Sequence, residues 1–412
     1  MAHLLIIELP GGNDADIVKA AIDRGDTFVF LTSDLSVYAS QKNVFQHLQH
    51  AERMLEIQAF DFTQAAAAVA ELHLAHPFDA LLCLLDIRLI DAAALADMLG
   101  LHFLNPASAR LLRDKYSVRQ CLLSAGITQP LFKLACSNEE LQQAVADIGL
   151  PVLIKPSDGY GSQNIIVIEH EEDLAPWMTP LQDMLPSKAD YGLGVMANDR
   201  LQVEQYMQGL VIGCDTFSFE GQHQMLGINE KTFFDKPSFA IRGGCFMPYK
   251  NDFRAIQDYV FRLLDAVGFD TGAAHTELIV NEAGLHLVEI NARLVGAKIP
   301  RLMSLALHRS VTSDLIDLHL GRYAFADNAS ADVAVTRWIT ADRPGVLAHV
   351  HTPPQLDERI VHVEILKHAG EHVRLPMENA DRIGYVMSCS NSRAEAESAA
   401  DQFVSESNLV FA

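Results

Sequence analysis

The chain has 412 residues and a mass of 45.4 kDa, about three times a typical ~150-residue domain, so two or three packed units are expected and a disulfide-stapled miniature is excluded. Hydrophobic residues make up 49% and charged residues 20%, a globular composition that rules out extended disorder. The net charge of −22 repels nucleic-acid backbones and anionic membranes, so neither is an expected partner and any phosphate ligand must be held locally, with metal.

The six cysteines, at 83, 121, 136, 214, 245 and 389, form no C-x-x-C pair and fit reduced thiols. The start MAHLLIIELPGG lacks a basic n-region, and no stretch reaches 18 apolar residues, so a soluble, cytoplasmic protein is expected.

In chain order, LLIIEL, TFVFLT and DALLCLLD are continuous apolar strands separated by helical segments, which predicts a parallel α/β sheet covered on both faces, with a domain over 1–106. Gly11 and Gly12 follow the first strand without a G-x-G-x-x-G pattern, so a dinucleotide site is not supported. A single helix is expected over 108–124, ending at Gly126. From 131 to 287 the segments LFKLAC, PVLIKP, NIIVIE, LQVEQYM, CDTFSFEG and HTELIVNEAGLHLVEIN read as antiparallel hairpin material, with turns at FEGQ and NEAG. This α+β region is taken as 107–330, with 185–200 as its mobile loop and a subdomain at about 130–207. Short strands and a closing helix over 331–412 read as a small α+β cap.

Three constellations carry chemistry. Lys155 ends the strand PVLIK and precedes the Gly-rich PSDGYGSQN, a turn able to aim amides at phosphate oxygens, although no Walker sequence is present. Glu289 and Asn291 share one face of a strand, and Glu277 on the neighbouring strand meets them. These are hard-oxygen ligands suited to Mg²⁺, with Arg293 two residues beyond able to grip a phosphoryl or carboxylate group. Between them, VEQYMQG at 203–209 is a strand running into a Gly turn whose backbone could read an adenine edge. Alone, the first and third read equally well as a surface turn and an edge strand.

Together these pieces resemble a known family. Arg113-Asp114-Lys115 with Arg119, Val152 to Pro156 with Gly159, Gly161 and Ser162, Val203-Glu204-Gln205-Tyr206, and Glu277, Glu289, Asn291 and Arg293 stand in the order and spacing of the ATP-grasp superfamily, over residues 105–325. The form H-T-E…V-E-I-N-A-R-L looks like the carboxylate–amine ligases, particularly the dipeptide-forming L-amino-acid ligases. The resemblance implies an ATP-grasp fold, with a parallel α/β domain before a two-sheet ATP-binding domain and a small cap after it. It implies that Lys115 and Lys155 contact nucleotide phosphates, that the loop 158–163 with Gly159, Gly161 and Ser162 closes over them, and that Glu204, Gln205, Tyr206 and Met207 form the adenine hinge. Glu277, Glu289 and Asn291 would hold two Mg²⁺, with Mn²⁺ as a substitute, and Arg293 would stabilise an acyl phosphate. The substrates would be a small carboxylate and an amine; a homodimer follows by family analogy alone.

Two departures bear on the expectation. Beyond Gly209 the first acid is Asp215, so ribose contact is open. Before Gly243-Gly244 stands Arg242 where related ligases often carry an acid, which predicts that Arg242 faces a substrate carboxylate. Gly243, His275 and Gly296 are further candidates around the substrate. His349 and His351 read as structural, and Cys245 lacks an identifiable base. Acyl transfer to a thiol or carrier protein, and a nucleotide-binding protein without catalysis, are the rival readings.

Overall fold

The computed structural model describes residues 1–10, 15–159, 165–177, 187–188, 195–196, 200–234, 240–325, 332–377 and 381–412. Gly11, Gly12, Gly161, Ser162 and most of the loop 185–200 lie outside them. The apolar runs form a parallel four-stranded sheet in the order Arg53–Glu56, Thr27–Thr32, His3–Ile7, Ala80–Cys83. Every residue of His3–Ile7 is buried, as expected for a strand covered by helices on both faces. The helices Asp16–Asp23, Phe62–Ala75 and Leu89–Leu99 contribute Ile17, Val18, Val69 and Leu95 to the core around it. Just past the carboxyl ends of the first and last of these strands stand Glu8 and Asp86, both buried, at the edge where ligands of open parallel sheets are held.

The single helix expected over 108–124 is two, Pro106–Leu112 and Lys115–Ser124. Asp114 breaks it by capping: its carboxylate accepts from the Ser117 amide at 2.8 Å, and also from Ser157 Oγ at 3.1 Å and Arg200 Nη1 at 2.7 Å. The cap thereby fixes the helix start, and Lys115 with it, against the strand Val152–Pro156. That strand lies in an antiparallel sheet ordered Phe132–Ala135, Leu201–Gln205, Val152–Pro156, Ile166–Ile168. With the helix Asn138–Ile148 this sheet encloses its own core of Ala135, Leu141, Val152, Ile154 and Val203.

The largest sheet has eight strands, ordered Gly284–Asn291, Gly272–Asn281, Leu210–Phe219, Gln222–Phe233, Ile241–Pro248, Val333–Ile339, Gly384–Ser390, Ile360–Ile365. The expected FEGQ turn is present, with Glu220 and Gly221 both at positive φ, the backbone of a tight hairpin turn. The cap is not set apart from this sheet: three of its strands continue it, because Val333–Ile339 pairs antiparallel with Ile241–Pro248, while Gly345–His351, His372–Val373 and Asn408–Phe411 form a small sheet of their own. Close approach there needs Gly243, whose Cβ would stand 2.3 Å from the Thr336 carbonyl. No helix among the described residues is long and apolar enough to cross a membrane.

Candidate active site

The lysine at the end of PVLIK points inward. Lys155 Nζ donates to Glu204 Oε2 at 3.0 Å, and Arg119 Nε, from the helix Lys115–Ser124, donates to Glu204 Oε1 at 2.8 Å. All three are buried, at 4%, 6% and 2% exposure for Lys155, Glu204 and Arg119. Burial raises the Glu204 carboxyl, but Arg119 and Lys155 outweigh it and hold it at about 2. Burial lowers the Lys155 ammonium, partly offset by Glu204. Arg119 also reaches Gln129 Oε1 at 2.7 Å and the Val288 carbonyl at 3.3 Å, which ties the small sheet to the large one. Within the expected hinge, the Gln205 and Tyr206 amides donate to the carbonyls of Leu131 and Pro151 at 2.8 and 3.1 Å. These two amides serve the fold.

The second constellation forms as the period-two pattern implies. Glu277 stands opposite Glu289, and His275 opposite Asn291, in the hairpin Gly272–Asn281 with Gly284–Asn291. Asn291 Nδ2 donates to Glu289 Oε1 at 3.0 Å, and Lys115 Nζ lies 3.6 Å from Glu289 Oε2 while also meeting the Gly159 carbonyl. On the other side Lys231 Nζ donates to Glu277 Oε1 at 3.0 Å. His275 is buried between Asp215 Oδ1, 2.9 Å from Nδ1, and Glu277 Oε1, 3.3 Å from Nε2. Burial alone would lower its pKa, yet Asp215 and Glu277 hold it well above the ordinary value, and Glu277 is held well below its own by His275 and Lys231 against the effect of burial. Asp215, the first acid after Gly209, is thus committed to His275 and to Asn229 Nδ2 at 2.6 Å, not exposed for a ribose. Gly213 makes room for this cluster: a Cβ there would stand 2.4 Å from His275 Cε1 and 2.6 Å from Asn229 Oδ1.

Arg293 is positioned from the N-terminal sheet. Its Nε donates to Asp86 Oδ2 at 2.7 Å. Burial raises the Asp86 carboxyl, but Arg293, Arg113 and Lys115 together lower it. A cavity of about 260 Å³ opens beside Glu277, Glu289, Asn291 and Arg293, and its lining includes Gly243, Gly296, Lys298, Trp338 and Arg382.

Arg242 is a correction. Its Nη2 donates to Asp401 Oδ1 of the final helix at 2.8 Å, and it does not line the cavity. The cause is a β-bulge: Thr232 pairs with Gly243 and Phe233 with Ile241, so Arg242 is the extra residue and its side chain is re-aimed. The cations that do line the substrate side are Lys298 and Arg382, the latter stacked 3.9 Å from the centre of the Trp338 ring. Arg382 and Asp86 are not singled out in the sequence, whereas Lys298 lies in the stretch 296–301 beside the candidate Gly296; the acid ending DALLCLLD could have been suspected from its place after a parallel strand. Cys245 is buried and its thiol is pushed up to about 12 by burial, so it is no nucleophile. His349 and His351 join no metal-binding cluster among the described residues.

Glu277 and Glu289 face each other across one strand pair, with an amide oxygen two residues on, and all three border one cavity. That all-oxygen set fits a hard divalent cation such as Mg²⁺.

Among known proteins, the ATP-grasp domain family matches residues 148–300, and the L-amino acid ligase C-terminal domain 2 family matches residues 337–410. An uncharacterized protein, y4rH, of Sinorhizobium fredii is 27% identical over 71% of the chain and 60% of its own length. Dapdiamide A synthase of Enterobacter agglomerans is 25% identical over 54% of the chain and 52% of its length. The L-arginine-specific L-amino acid ligase of Bacillus subtilis is 22% identical over 64% of the chain and 62% of its length. The alignments therefore span 52 to 62% of the length of these curated relatives. Among solved structures, an L-amino acid ligase from Bacillus licheniformis superposes with a TM-score of 0.74 at 18% identity, over 100% of this chain and 99% of that one. The biotin carboxylase domain of the 2-oxoglutarate carboxylase from Hydrogenobacter thermophilus, solved with MgADP, ADP and bicarbonate, superposes with a TM-score of 0.71 at 16% identity, over 100% of this chain and 91% of that one. The chain therefore carries an ATP-grasp domain, with the paired carboxylates Glu277 and Glu289 inside it, followed by an L-amino acid ligase C-terminal domain.

Proposed function

We propose that the chain joins a small carboxylic acid, an amino acid in the first instance, to an amine, forming an amide with conversion of ATP to ADP and phosphate. The observation that carries this reading is the meeting of Arg293 and the pair Glu277 and Glu289 around one cavity, with Lys115 Nζ 3.6 Å from Glu289 Oε2. In the first step a carboxylate oxygen attacks the γ-phosphorus of ATP, the bond to the β,γ-bridging oxygen breaks, and ADP leaves. In the second, the amine lone pair attacks the acyl carbon, the bond to the phosphate oxygen breaks, and the nitrogen loses a proton.

Both steps bring anions together, so positioned cations are the chief requirement. Lys155 and Lys115 are assigned to the nucleotide phosphates, with Gly159 and the loop through Gly161 and Ser162 above them. Met207 is assigned to the adenine. Glu277, Glu289 and Asn291 would hold Mg²⁺, which when bound neutralises phosphate charge. Arg293, braced by Asp86, is assigned to the charge that develops on the acyl oxygen as the amine attacks. The non-reacting part of the acid, such as the second carboxylate of a dicarboxylic acid, is assigned to the side of the cavity carrying Arg382 and Lys298; the 260 Å³ volume of the cavity suits a small molecule.

The test is release of ADP and phosphate with Mg-ATP across amino acids and dicarboxylic acids, singly and in pairs, with hydroxylamine in parallel to trap acyl phosphate. Release that needs a pair, with hydroxamate from one member, establishes the ligase and names its acid. Hydroxamate formation that no amine consumes, with turnover only on adding a carrier protein, replaces the amine acceptor by a thiol. ATP binding with silence throughout refutes catalysis.

A further inference from the structure

We propose that His3, Glu52 and His76 form a site for a divalent transition metal of the Zn²⁺ class, at the edge of the N-terminal sheet remote from the ATP-grasp site. His3 begins the strand His3–Ile7, Glu52 immediately precedes the strand Arg53–Glu56, and His76 caps the helix Phe62–Ala75. Each is pinned by its backbone: the His3 amide donates to Asp79 Oδ2 at 2.8 Å, the Glu52 amide to the Phe28 carbonyl at 2.9 Å, and the His76 amide to the Leu72 carbonyl at 2.8 Å.

The His3 ring carries the argument. It is stacked between His76, with ring centres 3.9 Å apart, and Phe78, at 4.6 Å. Its Nδ1 lies 3.2 Å from the Pro77 carbonyl oxygen. A carbonyl cannot donate, so Nδ1 carries the proton, and in the neutral ring Nε2 presents its lone pair. This is the orientation that a backbone carbonyl imposes on metal-ligating histidines. Nε2 is buried, makes no hydrogen bond among the described residues, and stands 3.4 Å from Glu52 Oε2. Two acceptors facing each other at a 5% exposed residue are unfavourable unless a proton or a metal ion lies between them.

His76 Nδ1 is 3.9 Å from the same Glu52 oxygen, and the three ligand atoms all lie within 4.8 Å of one another. Tetrahedral Zn²⁺, with bonds of about 2.0–2.2 Å, sets its ligand atoms roughly 3.3–3.5 Å apart. His3 and Glu52 already have that spacing, and the exposed His76 ring must turn out of its stack on His3, where the rings lie 11° from parallel, to bring its Nδ1 lone pair onto the ion. Two imidazoles and one carboxylate favour Zn²⁺, Co²⁺ or Ni²⁺ over Mg²⁺, the converse of the oxygen set at Glu277, Glu289 and Asn291. From His3 to Glu8, at the active-site end of the same strand, is about 16 Å at ~3.3 Å per residue, so the metal takes no part in ligation. It would staple the start of the edge strand Arg53–Glu56 to the turn before Ala80–Cys83 across the start of His3–Ile7.

The test is titration of the full chain with Co²⁺ in excess Mg²⁺, which occupies the oxygen set. Expected are one Co²⁺ per chain with the visible bands of a four-coordinate ion, displacement by Zn²⁺, and a higher Tm with Zn²⁺. His76→Ala and Glu52→Gln should each weaken binding on the order of 100-fold and abolish the Tm rise, whereas Glu277→Gln should leave both intact. His76 is exposed, so its variant keeps the fold, which circular dichroism verifies. Absent or non-stoichiometric binding, or binding that survives in both His76→Ala and Glu52→Gln, or is lost in Glu277→Gln, overturns the assignment and leaves the cluster an ion pair.

Discussion

Replacing Glu204 by Gln tests the charge balance beneath the nucleotide site. Among the described residues, Glu204 is the carboxylate that both Lys155 and Arg119 contact at hydrogen-bond distance. Its pKa falls from 4.5 to about 2 on folding, a difference worth about 3 kcal/mol at ~1.4 kcal/mol per unit. The folded pKa is depressed, so this stabilisation is present above about 4.5 and is lost as pH falls through about 2. The Glu204→Gln variant would also leave two buried cations facing each other without the carboxylate between them, and breaking such a buried pair costs about 3–5 kcal/mol. The expected result is a loss of that size in urea unfolding of the subdomain at pH 7, narrowing at pH 3, where the carboxyl of the unfolded chain is already protonated while the native one stays ionised. Hydrogen exchange of the strand Leu201–Gln205 reports the same unit independently of the rest of the chain. Lys155→Met combined with Glu204→Gln should recover part of the loss, since one buried cation lacking its carboxylate remains instead of two. A loss below about 1 kcal/mol at pH 7, or one equal at pH 3 and pH 7, would show that the cluster is wetter and weaker than its geometry implies.

Three further outcomes are expected. Asp86→Asn removes the carboxylate that aims Arg293 and should lower kcat by about 10–100-fold while moving the KM for ATP little; a change confined to KM counts against a positioning role. Arg382→Met should raise the KM of the carboxylate substrate at least about tenfold, whereas Arg242→Ala, which breaks a half-exposed pair with Asp401, should leave KM unchanged; initial-rate kinetics on both variants would reverse the assignment if Arg242 proved the sensitive one. Gly213→Ala would drive a methyl into His275 and Asn229 and should lower stability by about 1–3 kcal/mol, read as a fall in Tm; an unchanged Tm would mean that the Asp215–His275 cluster is free to shift.

What was legible in the sequence depended on separation along the chain. Glu289 and Asn291 alternate on one strand and Glu277 lies across a short turn, so local geometry sufficed to bring the oxygen ligands together. Lys155 on its strand was equally readable. The helix break at Asp114 was present as a capping signal, D-K-Y-S, but was hidden by helical residues on both sides. Arg242 is expected at the substrate from its place before Gly243-Gly244, and the bulge that turns it towards Asp401 carries no mark in the sequence. Asp86 and Arg293 are 207 residues apart, and nothing in either segment announces the other.

The same distinction separates chemistry from choice of substrate in this fold. The residues proposed for the phosphates and their cation, Lys115, Lys155, Glu277, Glu289 and Asn291, come from the central sheets and the helix packed on them, and short motifs mark them. The cations at the far end of the cavity, Lys298 and Arg382, come from a loop and from the C-terminal segment. They reach the cavity because Val333–Ile339 extends the central sheet and brings Trp338 beneath Arg382. A sheet continuous across that seam lets the C-terminal strands supply the substrate-facing wall without disturbing the nucleotide-facing one. Substitutions in those strands can therefore alter which acid is accepted while the arrangement that would activate it stays in place, and that is also why substrate identity is the part of the function least visible in short motifs.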